Sequence, residues 1–63
     1  MSFDPERHFK RKAEVTLAAL KYSQSKFGAD NKTAIARIET ALSQINAGQS
    51  VYVALAPCLD DLR

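Results

Sequence analysis

The chain has 63 residues, a formal net charge of +2 and one cysteine. A chain this short buries only about 60% of the surface it exposes when unfolded, so hydrophobic burial and lost chain entropy nearly cancel, and a staple or a partner is commonly needed. The single cysteine excludes an internal disulfide, no ligand pair beside it suggests a zinc site, and so small a net charge does not by itself imply a nucleic-acid or membrane partner.

Self-association is the ordinary remaining solution to a small core, most simply as a two-fold homodimer. The N-terminus is charged and lacks the apolar stretch of a signal peptide. No apolar run approaches the roughly 18 residues that a membrane span needs. These features lead us to expect a cytoplasmic protein, a complete small gene product starting at Met1, folded as one helical domain over 1–63 with no membrane partner. The charge is unevenly placed. From Met1 to Phe27 six Lys/Arg face three Asp/Glu, whereas from Gly28 to Arg63 the counts are three and four. The basic excess therefore belongs to the first predicted element.

The first element is a helix over about 4–27. Asp4 suits the N-cap, because its carboxylate can accept a bond from an orphan backbone N–H. Pro5 follows at the first helical position, where its missing N–H costs nothing. Glu6 adds negative charge near the positive end of the helix dipole. Phe9, Ala13, Leu17, Leu20 and Phe27 repeat at helical spacing, with Gln24 inside the same stripe. Gly28 is placed as the left-handed C-terminal residue.

After a short link, Asp30 or Asn31 caps a second helix over about 30–47, closed by Gly48. Ile35, Ile38, Leu42 and Ile45 are spaced three, four and three, an a/d seam of one and a half heptads. Ala34 and Ala41 flank it and allow close approach of a neighbour. So short a link between two helices predicts an antiparallel hairpin, with Gln24 and the alanines where the stripes meet.

The tail beyond Gly48 admits two readings. Val51, Tyr52 and Val53 have strand propensity, and a short apolar run over 49–56 does not settle the type. Yet Tyr52, Leu55, Leu59 and Leu62 repeat the spacing three, four, three, and Ser50 can cap. Pro57 lacks the N–H that would reach the carbonyl of Val53. The preferred expectation is a third, short helix over about 50–62, kinked or broken at Pro57 and folded back over the hairpin. A strand would need an edge to pair with, and only a second chain could offer one.

No catalytic, cofactor-binding or metal-binding set emerges, and we expect no enzyme and no cofactor. His8 lies among cations, which disfavour a second positive charge. Cys58, between Pro57 and Leu59, reads as a small buried hydrophobe rather than a nucleophile. Asp60 and Asp61 would point about 100° apart on a helix and so would not converge on one ion or proton. Gly28 and Gly48 are isolated and make no phosphate-cradling loop.

Two candidate surfaces remain. Arg7, Lys10, Arg11 and Lys21 share the side of the first helix away from its apolar stripe, a row that could follow phosphates or steer an acidic protein, although Glu14 interrupts it. Val15 and Tyr22, with Ala18 and Ala19, form a weaker apolar strip off the main stripe. Together with Tyr52 they are the candidate apolar anchors, since tyrosine joins a large apolar face to a polar tip. A DNA-binding helix-turn-helix fits poorly, because the second helix is long and its outward residues are mostly acidic or neutral. The expectation is an all-α helical hairpin with a short C-terminal helix, self-associating. It would act as a regulatory or accessory protein through protein–protein interaction, as small phage- and plasmid-type chains often do. The alternative is a nucleic-acid-binding regulator using the basic face.

Overall fold

The computed structural model describes residues 3–62. The first helix, α1, spans Pro5–Phe27. Asp4 sits before it in extended backbone, and its Oδ1 accepts the Arg7 N–H at 3.3 Å. Phe3, one position earlier, lays its ring against His8 with centroids 5.5 Å apart. This is the hydrophobic staple across a helix N-terminus, and it fixes the angle at which the chain enters α1. At the other end Gly28 adopts φ 69° and donates its N–H to the Gln24 carbonyl at 3.2 Å.

The link to α2 is tied down by polar groups of α1. Gln24, the polar residue inside the apolar stripe, accepts the Asn31 N–H on its side-chain oxygen at 3.2 Å. Asn31 Nδ2 donates to the Leu20 carbonyl at 3.1 Å. Asn31 thus occupies the N-cap position of α2, but its side chain reaches back to α1 and does not cap α2. The expected local cap is replaced by a clamp between two helices.

Helix α2 spans Lys32–Asn46, slightly shorter than the expected 30–47. It closes in a Schellman motif. The Gly48 N–H donates to the Ile45 carbonyl at 3.0 Å and the Gln49 N–H to the Gln44 carbonyl at 2.9 Å. Helix α2 runs back along α1, and Lys21 Nζ reaches Glu39 Oε2 at 3.1 Å between them.

The tail is helical, and no strand occurs among the described residues. Helix α3 spans only Val51–Leu55 and passes into a 3-10 turn over Ala56–Cys58. Pro57 cannot donate to Val53, and the Ala56 N–H takes that carbonyl instead, one residue early. Turns from Leu59 to Leu62 complete the tail, with the Asp61 and Leu62 N–H groups both donating to the Cys58 carbonyl. The expected break at Pro57 is present, but the second half of 50–62 is not α-helical.

The buried core is Ala13, Ile38, Ala41, Val51, Ala54, Leu55, Cys58 and Leu62. Leu17, Leu20, Leu42 and Ile45 pack against it partly buried. Two expectations are corrected here. Tyr52 and Leu59, half of the predicted tail stripe, are exposed: the buried face is Val51, Ala54, Leu55, Cys58 and Leu62, which keeps helical spacing but is centred roughly 60° round from the predicted stripe. Phe9 and Phe27, placed in the stripe of α1, are exposed as well. Helix α1 has 23 residues and α2 has 15, lengths of roughly 34 and 22 Å. The N-terminal turns of α1 therefore extend beyond α2, and Phe27 lies at the far tip. This overhang gives the molecule extents of 39 × 24 × 18 Å and a radius of gyration of 12.1 Å, against about 10.6 Å expected for a compact chain of this length.

Candidate interaction surfaces

The overhanging end of α1 meets the tail, and four rings line up across the junction. Phe3 stacks at a tilt on His8, His8 meets Phe9 edge-on at 5.4 Å, and Phe9 meets Tyr52 edge-on at 6.1 Å. Edge-to-face contacts at these separations bring the positive ring edge to the negative ring face. Behind the last two rings lies an apolar groove of about 210 Å³, lined by Phe9, Val51, Tyr52, Leu55, Leu59 and Leu62. Lys12 borders it beside Phe9, Leu59 and Leu62. Phe3 is 72% exposed, Tyr52 51% and Leu59 55%, so this edge shows water a contiguous apolar surface.

The predicted anchors fall on two sides of the molecule. Tyr52 belongs to the groove. Val15 and Tyr22 are exposed on α1, roughly 120° or more around the helix from Phe9. Tyr22 is joined by Phe27, ring centroids 6.3 Å apart. The basic row also divides. Arg7, Lys10 and Arg11 line one shallow concavity with Phe3, Asp4, His8 and Glu14, whereas Lys21 stands apart, paired with Glu39.

Sequence reasoning missed Phe3, Phe9 and Leu59 as surface residues. Two signals pointed to them: the unequal predicted lengths of the first two helices, and the position of Phe3 immediately before a strong N-cap.

Cys58 is buried at 1% exposure. Burial pushes its thiol above the usual range, the Asp61 carboxylate adds to the shift, and the Arg37 guanidinium opposes it. Such a thiol is a poor nucleophile at neutral pH. Asp61 Oδ2 lies 3.5 Å from Arg37 Nε and makes no hydrogen bond, so that carboxylate ties the tail to α2 mainly by charge. Among the described residues no group of three or more His, Cys, Asp or Glu could hold a metal ion, and no helix is long and apolar enough to cross a membrane. Comparison with protein-family models, with curated proteins and with solved structures finds no match to this chain.

Proposed function

We propose that this chain is a small, cytoplasmic, non-enzymatic regulatory or accessory protein, of the kind found in phages and plasmids. It acts as one helical domain over 1–63 that self-associates and binds a protein partner. The observation that carries this reading is that, among the described residues, eight large apolar side chains are left exposed against a core of eight buried residues. Exposed apolar surface beside charge is how a partner site on a soluble domain usually looks. Val15 and Tyr22 on the outer side of α1 supply affinity for the partner, and Arg7, Lys10 and Arg11 steer an acidic surface toward them. A non-catalytic role is supported by the state of Cys58, a buried thiol held protonated by its surroundings.

Nucleic-acid binding is the second reading, favoured by the concavity that joins Arg7, Lys10 and Arg11 to the rings of Phe3 and His8. Phosphates and stacked bases would suit that mixture. Affinity capture at low and high salt separates the two readings. The protein reading expects a protein retained at high salt and lost when Val15 and Tyr22 are both changed to Ser. A captured nucleic acid that elutes steeply with salt, and that the double change of Arg7 and Arg11 to Gln abolishes, would establish the second reading instead.

A further inference from the structure

We infer that the outer face of α1 is a docking seam for an acidic amphipathic helix of another protein. The inference rests on the protein-binding role proposed above and names the chemistry of the partner.

The charges of α1 are sorted around its axis. Val15 is the centre of the outer face, and Ala18, Ala19 and Tyr22 lie within about 60° of it on a helical wheel. So do Arg11, Lys12 and Lys26, and all of these side chains are exposed. The carboxylates of the same helix stand elsewhere, Glu14 about 100° and Glu6 about 180° round from Val15. Lys21 shares that acidic side and is engaged with Glu39. Asp4, at the helix end, is turned onto the Arg7 N–H. Among the described residues, neither the Lys21–Glu39 nor the Arg37–Asp61 ion pair involves Arg11, Lys12 or Lys26. An apolar strip is thus bounded by charge of one sign.

Shape selects a helix as the occupant. The face carries two rows at four-residue spacing, Arg11–Val15–Ala19 and Ala18–Tyr22–Lys26, and the groove between such rows takes a similar row of a second helix. The alanines allow the backbones to approach, while Val15 and Tyr22 give the larger contacts. Tyr22 already stands edge-on to Phe27, with ring centroids 6.3 Å apart, which reduces the ordering cost of binding. From Arg11 to Lys26 the seam runs about 22 Å, or about four turns.

Charge sets the partner's chemistry. One row begins on Arg11, the other ends on Lys26, and Lys12 stands along the edge. The complement is a helix with Asp or Glu at both ends of its apolar stripe. A second copy does not meet this description. In an antiparallel two-fold pairing of these faces Arg11 would meet Lys26, and in a parallel one each cation would meet itself, so like charges oppose in both.

A display library of amphipathic helices about four turns long, with the positions flanking the apolar stripe randomised, tests the seam when selected on the immobilised full chain. Wild type should enrich helices carrying Asp or Glu at the flanking positions. The combined change Arg11→Glu, Lys12→Glu and Lys26→Glu should reverse the selection to Lys and Arg, and should weaken the best wild-type binder by at least about tenfold. Val15→Ser with Tyr22→Ser should lose binding in both charge backgrounds, with circular dichroism unchanged because every altered side chain is exposed. Amide shifts on binding should centre on Val15, Ala18, Ala19 and Tyr22. Selected helices with no acidic bias that still require Val15 and Tyr22 would overturn the acidic partner and leave the protein-binding reading standing. Helices seated at Phe9 and Leu59, or no enrichment at all, would overturn the seam itself. Vesicles of phosphatidylcholine and phosphatidylserine that bind in place of any helix, and are released by the same charge reversal, would overturn it in favour of an anionic membrane surface.

Discussion

Cys58 occupies an unusual place for so small a core. It and Ile38 are the largest side chains buried almost completely, so a weakly acidic group lies where a methyl group would otherwise pack. Its thiol is raised from 9.0, first by loss of solvent and then by Asp61. The unfolded chain therefore ionises first as pH climbs. The folded state holds its proton more tightly, and the stabilisation this represents is fully present below pH 9.0 and is lost as pH rises through the folded value. Urea denaturation near neutrality and again above pH 9.0 should show wild type losing more stability across that step than Cys58→Ala. The comparison of the two slopes cancels what the two proteins share. An equal loss would mean that the thiol is not desolvated. Alkylation offers the same information kinetically, since a buried thiol should react only as fast as the tail opens.

At the scale of elements, what could be read in the sequence was what neighbours in the chain determine. Asp4, Pro5, Gly28 and Gly48 mark helix ends through local hydrogen bonds and backbone angles, and all four lie at the ends they were expected to mark. The seam from Ile35 to Ile45 faces the core for the same reason. Less legible was anything set by one element lying against another. Gln24 looked like a polar interruption and is half of a clamp on Asn31. Tyr52 looked like a partner for Leu55 and instead meets Phe9, far away in sequence. The buried face of the tail, Val51, Ala54, Leu55, Cys58 and Leu62, keeps helical spacing but lies to one side of the predicted stripe, a choice set by how the tail packs on the hairpin. Of the candidate surfaces, the exposure of Tyr22 was foreseeable from its position on α1, while the groove required knowing that α1 outruns α2.

The two glycines are not equivalent, and their difference gives a prediction. Each has open space where a Cβ would go, so substitution strains only the backbone. Gly28 has φ 69°, near the left-handed helical well, while Gly48 has φ 104°, outside it. Gly28→Ala should cost about 1–2 kcal/mol. Gly28→Asn should cost less than Gly28→Ala, since asparagine tolerates that well. Gly48→Ala should be the more damaging alanine change, and Gly48→Asn should bring little relief. Urea midpoints for the four variants check the order; equal costs at both positions would mean that the Gly48 turn relaxes.

For the whole molecule, the tail rather than the hairpin decides whether there is a core. Val51, Ala54, Leu55, Cys58 and Leu62 are five of the eight buried residues among those described, although the segment that carries them is the shortest and least regular. Without it, Ala13, Ile38 and Ala41 would be uncovered on one side, and α1 and α2 would be held only by a half-buried seam, the Gln24–Asn31 clamp and a surface ion pair of Lys21 with Glu39. That ion pair, exposed at both ends, contributes little. Burial of Val51, Leu55 and Leu62 alone is worth roughly 5–9 kcal/mol, as much as the roughly 3–9 kcal/mol of net stability that a chain of this size commonly has. A chain ending at Gln49 should therefore lose its cooperative urea transition and most of its helical circular dichroism. Leu55→Ala in the full chain should cost about 2–5 kcal/mol and still unfold in one step. A truncated chain that keeps a sharp transition would place the stability in the hairpin seam and leave the tail a passive cover. The same experiment bears on recognition, because the groove is built by the tail: if the core fails without it, a partner that grips Tyr52 and Leu59 also grips the element on which the fold depends, and binding there should raise the thermal midpoint in step with partner concentration.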